Sequence, residues 1–400
     1  MAGDTTTIVL GGGVRTAIGR FQGGLSPFRA PDLGGKVIAE AIKRAGVKPD
    51  DVDEVIFGNV VSAGLGQNPA RQAMIASGVL NAERTNAFTV NKVCGSGMKA
   101  VHLAAQAIKA GDARIVVAGG MESMTNAPYI IREARQGCRL GDAKLVDVMV
   151  YDGLWDYYND FHMGITGELV AEKFGITRRD ADEWSLNSHL KAHKATIEGA
   201  FKAEILPIVV PQKKGPPIVI DKDEGIRADT TLEKLEKLPP AFKKDGIVTA
   251  GNASQISDGA AALVVTTDKI AEEIGMKVEA RVLGYSTGAV EPKWVMIAPI
   301  PAVRTLLKKL GVGIDWFDLI ELNEPFATAT VALQRELEVP IEKLNVHGGA
   351  VALGHPIGCS GARLIVTLIN ALRRYGKRRG LAALCLGGGG ATAIAIELVK

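Results

Sequence analysis

The sequence predicts an α/β protein with two similar βαβ-rich halves, each a sheet covered by helices, plus an inserted loop or lid subdomain. Three observations support this fold class. The chain contains an internal repeat, its apolar strand-like segments alternate with helix-length segments, and it has 47 glycines but only 5% aromatic residues. This composition suits tight turns between small-residue helices and strands. Four hundred residues also exceed the usual size of one hydrophobic core, so two or three domains are expected.

The internal repeat has a constant spacing of 264 residues. A strand-like segment that ends at Asn59 matches one that ends at Asn323 (323 − 59 = 264), and Ser96-Gly97 matches Ser360-Gly361 at the same spacing (360 − 96 = 264). Each Ser-Gly pair precedes a helix-length segment and then an apolar strand that ends in glycines. The helical segments are 98–110 and 362–375, and the strands are 114–120 and 381–388. We interpret these strands as parts of buried parallel sheets.

The middle of the chain differs in character from the two halves. Thr177 is a predicted N-cap of an amphipathic helix that runs to about Phe201, and lysines and prolines are scattered over 207–244. We predict an inserted loop domain over 121–251, long enough to form a lid or a binding loop. The apolar segment 259–266 returns to the first half. The predicted units are therefore 1–120 with 252–274, then 121–251, then 275–400.

Charge and cysteine content exclude several classes of protein. The net charge is only +3, which does not indicate a nucleic-acid partner. The four cysteines show no paired spacing, so neither a disulfide framework nor a structural zinc site is predicted, and no metal is expected. No apolar run reaches the ~18 residues that a membrane span requires. Residues 1–10 lack the features of a signal peptide, so we expect a cytoplasmic location.

Cys94 is the first candidate for a reacting group. It follows a probable strand at 86–90 and precedes a helix that starts near Gly97. A sulfur at a helix N-terminus is close to free N–H groups and to the positive end of the helix dipole, which stabilise a thiolate. We therefore predict a nucleophilic thiol. The alternative is an inert buried cysteine.

Three further residues lie at comparable positions in the second half. His355 is flanked by Gly354 and Pro356, so its ring is held on a constrained turn, although an ordinary loop histidine is the alternative. Cys385 ends the last core strand, just before a run of glycines whose N–H groups can stabilise an oxyanion. Asn323 ends the strand that the repeat pairs with Asn59, where it either caps a turn or holds a water. These groups predict a nucleophile, a base and a second, acid/base thiol in one site.

Ordered motifs over nearly the whole chain resemble the thiolase family, and in particular its acetyl-CoA acetyltransferase type. The matching segments are 66–72, 90–97, 119–124, 162–164, 249–254, Asn323-Glu324, 354–356 and Cys385. The resemblance implies a thiolase-like fold. It also implies that Cys94 carries the acyl group after activation by His355, and that Cys385 moves the α-proton of acetyl-CoA.

The same resemblance implies the supporting residues. One oxyanion site would consist of His355 and a water on Asn323, and a second of the N–H groups of Cys94 and Gly387. Coenzyme A would contact residues of the lid region. The implied substrate-binding residues are His162, Met163, Arg227, Ser254, Pro325 and Phe326. Pro325 stands where the family usually has alanine, close to the expected acyl pocket.

The function implied by this resemblance is the reversible condensation of two acetyl-CoA molecules to acetoacetyl-CoA and CoA. Acyl-CoA is then a substrate, and no tightly bound cofactor is expected. The segment 121–164 resembles the short-chain, biosynthetic branch, which implies a homo-oligomer, either a dimer or a tetramer. Two alternatives remain at this point. They are a 3-ketoacyl-CoA thiolase of longer substrates in fatty-acid β-oxidation and a catalytically silent acyl-CoA-binding homologue.

Overall fold

A computed structural model describes residues 6–399 of the chain, so the predicted domain limits at 1 and 400, and half of segment 1–10, lie outside the described residues. The helices are α1 (Ala30–Ala45), α2 (Pro69–Ala76), α3 (Ser96–Ala110), α4 (Val148–Gly153), α5 (Met163–Phe174), α6 (Arg178–Ile197), α7 (Leu232–Glu236), α8 (Asp268–Ile274), α9 (Pro299–Leu310), α10 (Ala327–Glu336), α11 (Ala350–Leu353) and α12 (Ile357–Arg374). The strands are β1 (Ile8–Thr16), β2 (Gly19–Arg20), β3 (Glu54–Gly58), β4 (Asn86–Val90), β5 (Val116–Ser123), β6 (Tyr129–Ile130), β7 (Val146–Asp147), β8 (Trp155–Asp156), β9 (Phe161–His162), β10 (Ile205–Leu206), β11 (Ile208–Val210), β12 (Ile218–Ile220), β13 (Ser257–Thr267), β14 (Ala280–Ala289), β15 (Leu319–Leu322), β16 (Arg379–Leu386) and β17 (Gly390–Leu398).

The two halves share one large sheet. Its strand order is β15-β16-β17-β14-β1-β13-β5-β3-β4, and β10 and β2 pair beside this path. The halves meet where β1 pairs with β14, through Val9 opposite Arg281 and Leu10 opposite Ala280. The predicted α/β class with two similar halves is confirmed, but the two sheets are joined edge to edge.

The prediction that these strands lie in parallel sheets is only partly right, because the sheet is mixed. The pairs β3–β4, β3–β5 and β15–β16 are parallel. In contrast, β13 runs antiparallel to both β1 and β5, and β17 runs antiparallel to both β14 and β16. The continuous apolar sequence of β13 arises because all eleven of its residues are buried between helices, and burial on both faces gives the same pattern in either strand direction.

The repeat predicted from the sequence is present as matched helices and strands. The helices α3 and α12 end 264 residues apart, at Ala110 and Arg374 (374 − 110 = 264), and β5 and β16 follow them in the same way. These two helices pack on each other and on strands of both halves. The side chains of α12 are buried from Ile357 to Leu372, so this helix lies in the middle of the molecule.

Other helices cover the outer faces of the sheet. On the first half, α1 packs on β1 and β13, and on the second half α9 packs on β14 and β17. The segment between β5 and β13 contains α4 to α7 and three small antiparallel hairpins. Within it, α6 begins as predicted at the N-cap Thr177, whose hydroxyl accepts a hydrogen bond from the Asp180 N–H at 3.1 Å. Among residues 6–399, each helix is too short or too polar to cross a bilayer.

Candidate active site

Cys94 lies in a tightly held turn between β4 and α3. The residue before it, Val93, has a φ of 48°, which is rare for a β-branched residue. The turn is fixed by Ser96, whose Oγ donates to the Val93 carbonyl at 2.6 Å and accepts from the Lys92 N–H at 2.8 Å. Gly95 is required here because a Cβ would stand 2.5 Å from a methyl of Leu386. The strained backbone therefore directs the Cys94 side chain to a defined place.

The thiol of Cys94 is not stabilised as a thiolate, contrary to the expectation from its helix N-terminal position. Burial raises the pKa of Cys94 to about 12. Hydrogen bonds from the N–H groups of Gly387 and of Cys94 itself act in the opposite direction, and nearby Glu122 raises the pKa further. The desolvation of the sulfur outweighs the N–H groups. Cys94 is thus a neutral thiol at rest and needs a base.

His355 lies at the start of α12 on a loop that requires glycine before it. Gly354 has a φ of 105°, and a Cβ at this position would lie 2.2 Å from the Ser257 hydroxyl. The His355 N–H donates to the Gln255 carbonyl at 3.1 Å and to Ser257 Oγ at 3.2 Å. These contacts tie the loop to the start of β13, in the other half of the molecule.

Hydrogen bonds fix which ring nitrogen of His355 carries the proton. Nδ1 lies 2.6 Å from Ser360 Oγ, and this hydroxyl donates to the Pro356 carbonyl at 2.9 Å. Because the serine proton is used there, Nδ1 donates to Ser360 and Nε2 keeps a lone pair. Burial lowers the pKa of His355 to about 3, and the Arg363 cation lowers it further. The ring is a neutral imidazole.

Asn323 faces the free nitrogen of that imidazole. It follows β15 directly, and its Nδ2 lies 3.3 Å from His355 Nε2. Its Oδ1 accepts from Arg363 Nη2 at 3.4 Å. The adjacent Glu324 is buried and binds Ser188, Trp184, Asn345 and the Val351 N–H, so it joins β15 to α6 and to the loop before His355.

Cys385 and Gly387 lie at the turn between β16 and β17. Burial and the proximity of Cys94 raise the pKa of the Cys385 thiol above its usual range. Its Sγ lies 4.0 Å from Met296 Sδ. The turn that follows needs glycine, because residues 388 and 389 both have a φ of 85°. This conformation leaves the Gly387 N–H directed at Cys94.

One cavity of about 510 Å³ brings the predicted residues together. Ten of the eleven line it: Cys94, His162, Met163, Arg227, Ser254, Pro325, Phe326, His355, Cys385 and Gly387. The eleventh, Asn323, contacts the cavity through His355. Apolar side chains form much of the remaining wall, including Leu154, Met296 and Ile357.

One wall of the cavity is an aromatic stack. His162 lies against Phe242 with ring centroids 4.7 Å apart, and Phe242 meets Phe326 edge-on at 6.0 Å. His162 Nδ1 accepts from the Gly164 N–H at 3.0 Å, and burial lowers the pKa of His162. Pro325 accepts a backbone hydrogen bond from Ser254 at 2.9 Å. The inserted segment and the second half therefore form this wall jointly.

Several supporting residues were not predicted as part of the site. Ser360 and Arg363 lie one and two turns along α12 from His355. Glu122 is buried and accepts from the N–H groups of Val60, Val61 and Gly358, and burial raises its pKa to about 7. The available signal was Arg363, the one charged residue between positions 357 and 372, since a buried guanidinium needs a partner. Glu122 lies within the matching segment 119–124, but the sequence analysis gave it no role of its own.

The cluster shows no sign of a metal centre. Within residues 6–399, no group of three or more histidine, cysteine, aspartate or glutamate side chains is arranged to hold a metal ion. The four cysteines are free, and Cys138 is exposed whereas Cys359 is buried. Two of the four, Cys94 and Cys385, line the cavity together with His355.

Comparison with known proteins assigns the chain to a family. The model of the thiolase N-terminal domain matches residues 8–269, and that of the thiolase C-terminal domain matches residues 276–398. The chain belongs to the thiolase family.

Curated relatives and a solved structure extend this similarity over nearly the full length. The chain is 52% identical to an acetyl-CoA acetyltransferase of Chromobacterium violaceum over 96% of this chain and 97% of that protein. It is 50% identical to one of Pseudomonas aeruginosa over 97% and 98%. The crystal structure of the Bacillus anthracis acetyl-CoA acetyltransferase has a TM-score of 0.96 and 42% identity, covering 98% of this chain and 99% of that chain.

Proposed function

We propose that this protein is an acetyl-CoA acetyltransferase that condenses two acetyl-CoA molecules to acetoacetyl-CoA and CoA, and catalyses the reverse thiolysis. The main observation that supports this proposal is that Cys94, His355 and Cys385 line a single cavity. The relatives named acetyl-CoA acetyltransferase support the same conclusion. Two thiols supply roles that one cannot fill, because an acylated Cys94 has no thiol proton left.

In the first half-reaction, Cys94 accepts the acetyl group. The Cys94 sulfur attacks the thioester carbon while His355 Nε2, which holds a lone pair, takes the thiol proton. The carbonyl oxygen becomes an oxyanion, and the N–H groups of Cys94 and Gly387 stabilise it. The tetrahedral intermediate then breaks its bond to the CoA sulfur, which takes the thiol proton of Cys385 and leaves, so that Cys385 becomes a thiolate while His355 keeps the proton of Cys94. A prebuilt donor of this kind contributes about 10²–10³-fold to such a step.

In the second half-reaction, the Cys385 thiolate left by the departure of CoA removes a proton from the methyl carbon of another acetyl-CoA. The enolate oxygen is stabilised by protonated Nε2 of His355 and by Asn323, through a water held there. The enolate carbon attacks the acetyl carbon on Cys94, and the Cys94–carbon bond breaks. The Cys94 sulfur recovers its proton from His355 Nε2, Cys385 keeps the α-proton as a neutral thiol, and acetoacetyl-CoA departs. Holding both acyl groups in one cavity replaces a slow encounter of two dilute thioesters.

The substrate is proposed to enter along the wall formed by the inserted segment. His162, Met163, Arg227 and Ser254 line the cavity on that side and are proposed to contact CoA. Pro325 and Phe326 are proposed to limit the acyl chain. This assignment depends on the proposed division of the chain into 1–120 with 252–274, the loop domain 121–251, and 275–400.

The decisive experiment separates acylation from condensation. We expect incubation with acetyl-CoA to add the mass of one acetyl group to a peptide containing Cys94. The variant Cys94→Ala should take up no acetyl group. Cys385→Ala should acquire the acetyl group but form no acetoacetyl-CoA. Normal condensation by Cys385→Ala, or acetyl-CoA binding without any acetylation of the unaltered protein, contradicts the proposal.

Chain length distinguishes the proposed activity from that of a longer-chain 3-ketoacyl-CoA thiolase. Thiolysis rates are measured for 3-ketoacyl-CoA substrates of increasing length. We expect acetoacetyl-CoA to be the preferred substrate, since Pro325, Phe326 and Met296 border the space near the two thiols. A higher kcat/KM for long substrates would favour the β-oxidation alternative.

We also propose that the protein self-associates and functions in the cytoplasm. The strand β4 is the outer strand of the first half, and exposed apolar side chains of Ile75, Val79 and Phe88 lie on it and on the segment before it. The reacting thiols suit a reducing compartment. Light scattering coupled to size exclusion distinguishes a dimer from a tetramer, and a monomer at assay concentration contradicts self-association.

A further inference from the structure

We propose that Arg363 is a positioning residue that holds the Asn323 amide with its NH₂ group toward His355, and so assembles the enolate-stabilising site. This inference rests on the proposed function and deepens it. Arg363 lies on α12, and only 1% of its surface is exposed. Its Nη2 is 3.4 Å from Asn323 Oδ1.

The side-chain amide of asparagine ends in two groups of similar size, an oxygen that accepts hydrogen bonds and an NH₂ group that donates them. The Asn323 side chain contacts a guanidinium on one side and an imidazole nitrogen on the other. A guanidinium can only donate, so it accepts nothing from an NH₂ group and selects the oxygen of the amide. The nitrogen of Asn323 is then directed at His355 Nε2, 3.3 Å away.

The orientation of the Asn323 amide matters because of the tautomer of His355. Nδ1 donates to Ser360, so Nε2 has a lone pair that accepts from Asn323 Nδ2. If the amide were reversed, Oδ1 would oppose this lone pair and Nδ2 would oppose the N–H groups of Arg363. Once Nε2 has taken the proton of Cys94, both Nε2 and Nδ2 are donors. Their shared direction then suits one acceptor, namely the enolate oxygen or the water that binds it.

The surroundings of Arg363 favour this role over a purely structural ion pair. Glu321 on β15 is its nearest carboxylate, but the closest contact, from Arg363 Nη1 to Glu321 Oε2, is 3.6 Å, and neither of these two atoms has a hydrogen-bond partner within residues 6–399. The strong buried ion pairs nearby belong to Arg15, which contacts Glu204 and Asp223 at 2.6 Å each. The contact from Arg363 Nη2 to Asn323 Oδ1, at 3.4 Å, is therefore shorter than the contact from Arg363 Nη1 to Glu321.

The test measures two steps separately in the full-length protein. Acetylation of Cys94 by acetyl-CoA reports the first half-reaction, and deuterium exchange from solvent into the methyl group of acetyl-CoA reports enolate formation. For Arg363→Met, which is similar in length but cannot donate, we expect acetylation within about threefold of the unaltered rate. We expect exchange to fall by about 10²-fold, the effect of one misplaced oxyanion donor. Arg363→Lys keeps a cation and a donor and should recover most of the exchange.

A double substitution shows whether Arg363 acts through Asn323. Asn323→Ala alone should slow exchange, and adding Arg363→Met should change it by less than about twofold, because coupled residues are not additive. Arg15→Lys alters another buried arginine that contacts neither Asn323 nor His355, so the ratio of exchange to acetylation should stay constant. If Arg363→Met does not fold, the Lys variant and its combination with Asn323→Ala carry the same comparison.

The outcomes separate this inference from the proposed function. If the unaltered protein shows neither Cys94 acetylation nor methyl exchange, the proposed function fails and the role of Arg363 fails with it. If the unaltered protein shows both activities, two results overturn the role of Arg363 alone. One is an equal loss of acetylation and exchange in the Arg363 variants, and the other is an additive effect with Asn323→Ala.

Discussion

Ser360 sets the tautomer of the neutral His355 ring. Its Oγ lies 2.6 Å from His355 Nδ1 while donating to the Pro356 carbonyl at 2.9 Å, so the ring proton is placed on Nδ1. The lone pair on Nε2 is therefore available in the cavity before substrate binds. The general base proposed for Cys94 depends on this hydroxyl, although Ser360 itself touches no reacting atom.

Ser360→Ala should slow acetylation of Cys94 by about 10–10²-fold. The ring would lose the acceptor that fixes its tautomer and orientation, and a misoriented general base loses part of the about 10²–10⁴-fold that such a group contributes. Ser257→Ala is the matched control, because Ser257 contacts the backbone N–H of His355 and not its ring. Burst rates of acetylation compare the two. A larger loss in the Ser257 variant contradicts the role of Ser360.

The raised pKa of Cys94 predicts a distinctive pH dependence of alkylation. Because burial raises this pKa to about 12, the thiolate is scarce at pH 7 and becomes more abundant at each step toward pH 10. The rate of inactivation by iodoacetamide should therefore rise continuously between pH 6 and pH 10. Mass spectrometry identifies the modified cysteine, and Cys94→Ala is the control. A plateau below pH 8 would show a preformed thiolate instead.

A buried histidine outside the cavity makes stability sensitive to acid. His102 is 1% exposed, its ring stacks on Tyr285 at 4.6 Å, and burial followed by nearby lysines lowers its pKa to about 3. The folded-state pKa is depressed below the unfolded value of 6.5. The contribution of neutral His102 to stability is therefore fully present above pH 6.5. It is lost as the pH falls toward 3, because over this range the unfolded chain binds a proton at His102 and the folded chain does not.

His102→Phe should accordingly gain stability relative to the unaltered protein on acidification. The difference in unfolding free energy should change by about 1.4 kcal/mol per pH unit between pH 6.5 and 4.5. Urea denaturation at several pH values measures it. Tyr285→Phe keeps the histidine and most of the ring contact, so its stability difference should not vary with pH. Parallel curves for His102→Phe and the unaltered protein would contradict the shift.

The sequence was sufficient to identify the repeat and to single out the three groups that are proposed to react, because spacings and flanking glycines can be read directly from it. A spacing of 264 residues aligns α3 with α12, and glycines beside Cys94, His355 and Cys385 indicate close approach. The family resemblance supplied Asn323, Gly387 and the lid residues, which local pattern alone does not single out. All of these predicted residues lie at or beside one cavity.

The direction of the strands and the ionisation state of the Cys94 thiol could not be predicted from the sequence in the same way. Burial on both faces produces a continuous apolar strand such as β13 whether its neighbours run parallel or antiparallel. The helix position of Cys94 correctly indicates nearby N–H groups, but the opposing cost of desolvation depends on packing by distant segments. Glu122 and Arg363 were missed for the same reason, since their roles exist only after the halves meet.

The crossing of the two central helices couples the repeat to the chemistry. Gly97 on α3 and Gly361 on α12 are equivalent by the repeat, and a Cβ at Gly361 would lie 2.4 Å from the Met98 nitrogen. These helices start just after Cys94 and His355, so forcing them apart would separate thiol from imidazole. We expect Gly361→Ala to cost about 1–3 kcal/mol of stability and to slow acetylation more than tenfold.

A control on the same helix separates the loss of stability from the displacement of the reacting groups. Ala371→Gly removes a buried methyl near the far end of α12 and weakens the helix by about 1 kcal/mol or more, but it does not push α3 away. Its acetylation rate at a temperature where the protein is folded should be close to that of the unaltered protein. If Gly361→Ala also acetylates normally, the close contact of the two helices does not govern the distance between Cys94 and His355. A selective loss in Gly361→Ala would instead show that the close contact of the two helices determines how the two halves of the repeat share one reaction.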